Sequence, residues 1–337
     1  MKKTVLCCAL FLLIGFPGSA QTSSPSPAPG QARDTSPATA TPLPDVVRIE
    51  AQPQKGFLYA YYFYVPPELR AEKISKVTQT ILVLPNNTGK VDDDLTVHDA
   101  AAKRVAENWR KLAANLKVAV LVPVFPRPKT DWRIYTHALD RDSMLTEKKE
   151  LRRFDLELIR MIDDARERSR GDGLRFDSRV IMYGFSAAAM FTNRFTMLHP
   201  DRVKAAAFGS PGGWAMAPTP SWKGKALRYP IGTADIVTVT GNKLDLKKLK
   251  KVPLFLFMGA EDTNDSVIYR DSYEQEDQDL IFDLFGKTLK ERWPVTEAIY
   301  KENLPAATLK LYPNVGHAAP KEIISDVTAF FSKHLRD

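Results

Sequence analysis

The stretch Arg179-Val180-Ile181-Met182-Tyr183-Gly184-Phe185-Ser186-Ala187-Ala188-Ala189-Met190-Phe191 joins an apolar strand to a helix-forming run through a serine-tipped turn, with no spacer between them. A strand, sharp turn and helix in immediate succession strain the backbone at the tip and bring the helix close to the strand. Small residues are therefore required on either side of the serine, and Gly184 and Ala188 fill those places. The turn lifts the Ser186 hydroxyl above the sheet, and the helix start adds backbone N–H groups and the positive end of a dipole beside it. A Gly-x-Ser triplet alone is weak, since a serine before a helix can also be a simple N-cap; the strand in front of it points to a nucleophile.

Outward from this turn the chain alternates short apolar strands with amphipathic helices. Strands are expected at Thr80 to Leu84, Val118 to Val124, Arg179 to Tyr183, Val203 to Phe208, Val252 to Met258 and Thr308 to Tyr312. Helices are expected at His98 to Leu116, Lys149 to Arg168, Ala187 to Leu198, Ser272 to Trp293 and Lys321 to Leu335. Such alternation implies an α/β fold, a mostly parallel twisted sheet with helices on both faces. Ahead of it, Val46 to Ala51 and Phe57 to Val65 read as an antiparallel opening hairpin turning at Gln54-Lys55-Gly56. Residues 210 to 250, rich in Gly, Pro and Trp, break the alternation and read as an inserted loop region.

In a doubly wound sheet, reactive groups collect in the loops after the strands. A serine hydroxyl needs a base, and the chain has only five histidines. His317, in Pro313-Asn314-Val315-Gly316-His317, follows the last strand. His137, in the long loop after Val124, is the reserve; His98, His199 and His334 read as caps or surface residues. The base in turn needs a carboxylate to fix its tautomer. The loop Gly259-Ala260-Glu261-Asp262-Thr263-Asn264-Asp265 supplies Asp262, with Asp265 and Glu261 as fallbacks.

With Ser186, Asp262 and His317 in this order, nearly everything after residue 45 resembles the α/β-hydrolase superfamily. The opening hairpin, the loop Leu84-Pro85-Asn86-Asn87-Thr88-Gly89 and the stretch His199-Pro200-Asp201-Arg202-Val203 are similar to secreted esterases of the polyhydroxybutyrate-depolymerase and feruloyl-esterase kind. In that group the loop after the third strand begins His-Gly and gives one backbone N–H to the oxyanion hole, where this chain has Pro85-Asn86. The resemblance implies acyl transfer without a cofactor on a small-molecule or polymer ester. By physical requirement the hole has two donors: the N–H of Ala187 is the first, and the second is expected from Asn86, Asn87 or Thr88, unless that loop is simply a polar turn. Trp132, Tyr135 and Trp214 follow two strands beside the expected cleft and read either as a substrate pocket or as loop anchors.

Met1-Lys2-Lys3, an apolar run from Val5 to Ile14 and Pro17-Gly18-Ser19-Ala20 have the order of a signal peptide over residues 1–20. The run falls well short of the ~20 residues that a bilayer core requires. Both cysteines, Cys7 and Cys8, lie inside it, so the exported chain is expected to have no thiol chemistry. Residues 21–44, dominated by Ser, Pro, Thr and Ala, read as a disordered tether, which leaves a single domain over 45–337. The sequons Asn86-Asn87-Thr88 and Asn264-Asp265-Ser266 would set glycans at the mouth of the site. They favour a bacterial periplasm or exterior over a glycosylating pathway.

Net charge is +8, or +6 once Lys2 and Lys3 are removed with the signal, and acids and bases interleave. No basic block with interleaved aromatics supports nucleic-acid binding; Lys247 to Lys251 reads as a solvated surface. Asp92-Asp93-Asp94 reads as the solvated start of a helix, and no metal site is expected. The expected function is thus a secreted serine esterase. Its rivals are a glycan- or peptide-binding protein without catalysis, and a serine peptidase or lactone hydrolase on the same three residues. Oligomeric state has no signature in the chain.

Overall fold

In the computed structural model the expected alternation becomes an eight-stranded mixed sheet; the structure describes residues 45–71 and 78–335. The strands are β1 (Val47–Ile49), β2 (Tyr61–Tyr64), β3 (Ile81–Val83), β4 (Ala119–Pro123), β5 (Val180–Phe185), β6 (Val203–Gly209), the small hairpin β7 (Ser221–Trp222) and β8 (Lys225–Ala226), β9 (Leu254–Gly259) and β10 (Thr308–Tyr312). The helices are α1 (Pro67–Ala71), α2 (Leu95–Leu116), α3 (Arg141–Leu145), α4 (Phe154–Gly171), α5 (Ala187–Leu198), α6 (Ile236–Thr240), α7 (Leu246–Leu249), α8 (Gln275–Leu284), α9 (Leu289–Asn303) and α10 (Lys321–His334). The expected signal segment, 1–20, and the whole of the expected tether, 21–44, lie outside the described residues.

The sheet order is β1-β2-β4-β3-β5-β6-β9-β10. β1 pairs antiparallel with β2, and β2 antiparallel with β4; every later pair is parallel. After β4 the chain reverses its direction of winding, so β3 and β5 are neighbours whose following helices lie on opposite faces. That reversal opens a crevice beyond their carboxyl ends. The loop from Pro85 to Gly89 leaves β3 at this crevice, and Ser186 leaves β5 beside it.

Both faces are covered. Leu158, Met161 and Ile162 of α4, Phe191 and Phe195 of α5 and Trp293 and Tyr300 of α9 pack on one face. Ala102, Ala106 and Ala113 of α2 meet Ile323, Val327 and Phe331 of α10 on the other. The alanine stripe of α2 lets that helix lie close to the sheet, where a larger side chain would hold it away.

Two expectations are corrected. The helix from Ser272 to Trp293 is two helices, because Gly286 takes a left-handed φ of 113° and Thr288 with Glu291 forms a capping box that starts α9. α9 then runs past Pro294, which sits in its second turn, to Asn303. The inserted stretch 210–250 is not all loop: it holds the β7–β8 hairpin and the short helices α6 and α7.

Candidate active site

Ser186 stands at the junction of β5 and α5 with φ 61° and ψ −124°, a conformation that L-residues adopt only under constraint. The constraint is visible in its backbone bonds. Ser186 N–H continues the sheet by donating to Gly209 O at 3.0 Å, while Ser186 O accepts from Ala189 N–H and Met190 N–H to begin the helix. Its hydroxyl makes no capping bond, so the plain N-cap reading fails. A β-carbon on Gly184 would fall 2.1 Å from Ala188 O, so only glycine allows this crossing. The tight contact is made by the backbone of residue 188, which is why alanine is tolerated there in place of the usual glycine.

Ala187 N–H, at the first position of α5, has no acceptor among the described residues and points out of the helix start beside the hydroxyl. Of the loop after β3, Asn86 is fully buried. Its side chain donates to Phe125 O at 2.9 Å and accepts from Phe125 N–H at 3.1 Å, tying this loop to the one after β4. Those bonds satisfy a carboxamide that burial would otherwise leave unpaired, so the Asn86 side chain is spent on holding the loop. Asn87 is half-buried, accepts from Gly89 N–H, and lines a pocket of about 340 Å³ beside the elbow with Leu84, Trp109, Phe185, Ala188 and Ile324. Thr88 is bonded through Oγ1 to His98 Nδ1 at 2.6 Å.

The acid and the base are brought together by the parallel pairing of β9 with β10. Beyond the strands, Ala260 N–H donates to Tyr312 O and Glu261 N–H donates to Val315 O, which zips the two loops to each other. A β-carbon on Gly259 would lie 2.2 Å from Val315 O, so glycine permits this approach. The result is a hydrogen bond between His317 Nδ1 and Asp262 Oδ2 at 2.9 Å. Burial works to raise the Asp262 pKa, but His317, Ser210 and Asn264 N–H outweigh it and hold the carboxyl below its usual range. Ser210 Oγ is itself buried and makes no hydrogen bond of normal geometry.

The His317 ring lies over Phe185, the residue before Ser186, with ring centroids 4.8 Å apart. Its Nε2, the atom that would serve a serine, is taken by Asn264 Nδ2 at 2.8 Å. Among the described residues no hydrogen bond joins Ser186 Oγ to His317. Asn264 entered the sequence reading only as part of a sequon, because nothing in its spacing marks a contact made by an exposed side chain.

The remaining candidates are placed elsewhere. Asp265 is paired with the buried Arg292, which also donates to Gly213 O; this pins the acid-bearing loop to α9 and to the loop after β6. Glu261 is exposed. His137 is buried, with Nε2 2.7 Å from Phe125 O, and burial lowers its pKa to about 3, so it stays neutral and inside. Asp93 accepts from the backbone of Lys129 and Thr130, and Asp94 caps α2 through Thr96 N–H, so two of the three clustered aspartates are latches.

Trp214 is 2% exposed, stacked on Phe285 at 3.9 Å and donating to Ile231 O; Tyr135 is buried under the Arg127 guanidinium at 3.8 Å. Both are held as loop anchors, one of the two readings that the sequence left open, and neither is placed as a pocket residue. Trp132 alone of the three is open to solvent, at 44% exposure, with Arg133 over its ring.

No family model matches the chain, and no curated protein does. Among solved structures it is similar to a poly(aspartic acid) hydrolase from Sphingomonas sp. KT-1, at 19% identity and a TM-score of 0.56 over 87% of this chain and 99% of that one. It is also similar to a poly(3-hydroxybutyrate) depolymerase from Bordetella parapertussis, at 16% identity and a TM-score of 0.52 over 87% and 92% of the two chains. These are likenesses of fold.

Proposed function

The chain has the α/β-hydrolase fold, and on that premise we propose that it is a serine hydrolase cleaving carboxylic esters through an acyl-enzyme on Ser186. The observation that carries this reading is the strained Ser186 beside a His317 ring that is already bonded to Asp262 and seated on Phe185. The ionised Asp262 carboxylate holds Nδ1 protonated and so directs a lone pair to Nε2, which can act as base once the Asn264 carboxamide gives way.

In this mechanism Ser186 Oγ attacks the ester carbonyl while Nε2 removes its proton. The oxyanion is held by Ala187 N–H and by a donor of the Asn87 loop, and Nε2 returns the proton to the departing alcohol. Water then attacks the acyl-enzyme by the same route. We place the enzyme outside the cytoplasm, in a periplasm or secreted, on the charged, apolar and small-residue order of residues 1–20.

A fluorophosphonate probe tests the reading. Covalent labelling of the wild type that disappears in Ser186→Ala supports it. The Asn264 contact at Nε2 favours a second reading, a glycan- or peptide-binding protein that keeps the fold without catalysis, and tight glycan binding by a wild type that resists the probe would support that one instead. Esters of short acids, feruloyl esters, poly(3-hydroxybutyrate) and poly(aspartic acid) form the substrate panel, because the three residues do not select the acyl group.

A further inference from the structure

We propose that Asn264 determines leaving-group specificity: its carboxamide guards His317 Nε2 against simple alkyl alcohols and favours alcohols that carry a hydroxyl on the neighbouring carbon. The inference rests on the reading of Ser186, Asp262 and His317 as a catalytic set.

The tautomer follows from the bonds. Asp262 Oδ2 lies 2.9 Å from Nδ1 and, as an ionised carboxylate, can only accept, so Nδ1 carries the proton and Nε2 presents a lone pair. Asn264 Nδ2 at 2.8 Å donates to that lone pair. Both proton transfers of acyl transfer pass through the same atom. Nε2 first takes the proton of Ser186 as the Oγ–C bond forms. It then gives that proton to the alcohol oxygen as the C–O bond of the tetrahedral intermediate breaks, leaving the acyl group on Ser186. A carboxamide at hydrogen-bonding distance from Nε2 therefore stands where the leaving oxygen must come.

Asn264 cannot move far. Its backbone N–H donates to Asp262 Oδ1 at 2.9 Å, so the carboxylate that orients the imidazole also anchors Asn264. Displacement is left to the side-chain torsions, and these keep the carboxamide within reach of the group that displaced it. Asn264 is exposed, and among the described residues its side chain has no other polar partner. An alkyl alcohol ends the Asn264–His317 hydrogen bond and offers nothing in return. An alcohol with a vicinal hydroxyl, as in glycerol or a sugar, offers both a donor and an acceptor to a carboxamide that can use either. Exchanging one neutral hydrogen bond for none, rather than for another, is worth about three- to tenfold in rate.

The test compares ethyl acetate with 2-hydroxyethyl acetate, which share an acyl group and hence a deacylation step, so that kcat/KM differs only through acylation. The wild type is expected to prefer the hydroxyethyl ester by about three- to tenfold. Asn264→Ala should raise kcat/KM for the ethyl ester and bring the ratio of the two towards one, while still reacting with a fluorophosphonate. An unchanged ratio in Asn264→Ala overturns the proposal, and so does a parallel loss on both esters or a loss of labelling, which would make Asn264 a support for the imidazole. A wild type that hydrolyses neither ester and takes no label removes the catalytic reading itself, an outcome distinct from a wild type that is active but indifferent to residue 264.

Discussion

Gly184 and the carbonyl of Ala188 cross so closely that a β-carbon on Gly184 would stand 2.1 Å from Ala188 O, with Thr192 Oγ1 at 2.6 Å behind it. Neither neighbour is the free end of a flexible side chain, so the elbow has no room to yield. Gly184→Ala should therefore cost about 3 kcal/mol or more, at the severe end for overpacking, and should abolish probe labelling along with stability. Ala188→Gly meets no such wall and costs about 1 kcal/mol, the ordinary loss for glycine in a helix. Thermal unfolding of the two variants side by side checks this asymmetry, and equal losses would contradict the crossing.

Ser186→Ala should lower turnover by about four to six orders of magnitude, the scale of loss when a nucleophile of this kind is removed. Stability moves differently. Because φ is 61° at this residue, Ser186→Gly should raise stability by about 1 kcal/mol over Ser186→Ala, since glycine occupies that region without strain. Denaturant midpoints for the two inactive variants provide the comparison.

Much of this was legible in the chain because each signal was local. The parallel sheet followed from apolar strands separated by helices, and the meeting of Asp262 with His317 followed from their places after β9 and β10. What was not legible depends on partners far away in sequence. Asn86 stands in a polar loop that reads as an oxyanion donor or a simple turn, yet its side chain pairs with the backbone of Phe125, 39 positions later, and is fully buried. Trp214 reads equally as a pocket residue or a loop anchor, and only Phe285, 71 positions later and stacked flat against it, decides for the anchor. The break between α8 and α9 was the exception: Gly286 and the pattern Thr288 to Glu291 announce it locally, but a continuous polar helix masks the cap.

Two buried carboxyls give stability a defined pH dependence. Burial pushes Glu157 up to about 7, against the lowering effect of the N–H groups of Tyr59 and Leu58, and burial likewise pushes Asp140 up to about 7. A carboxyl whose folded pKa lies above its unfolded one stabilises the fold fully below the unfolded value, and that stabilisation is lost as pH rises through about 7. Glu157→Gln removes its share of the dependence. The stability of the wild type relative to this variant should therefore fall between pH 4 and pH 7 by at most about 3 kcal/mol, read from urea unfolding at several pH values. A difference that rises over this interval would show that the Tyr59 and Leu58 N–H groups outweigh burial and hold the folded carboxyl below its unfolded value.

Ser210 invites a test that separates strain from function. The chain places glycine at 209, 212 and 213, yet the left-handed position 210, with φ 49°, is a serine whose buried hydroxyl has no partner of normal geometry. Near it lies Asp262, whose pKa the hydroxyl helps to lower. If the hydroxyl supports the ionised carboxylate, Ser210→Gly should relieve the backbone and keep or raise the melting temperature, while kcat falls about tenfold or more with KM little changed. A structural role alone predicts no such loss: a glycine that costs nothing in the backbone should leave kcat where it was. Full activity in Ser210→Gly would therefore reduce the hydroxyl to an accident of packing.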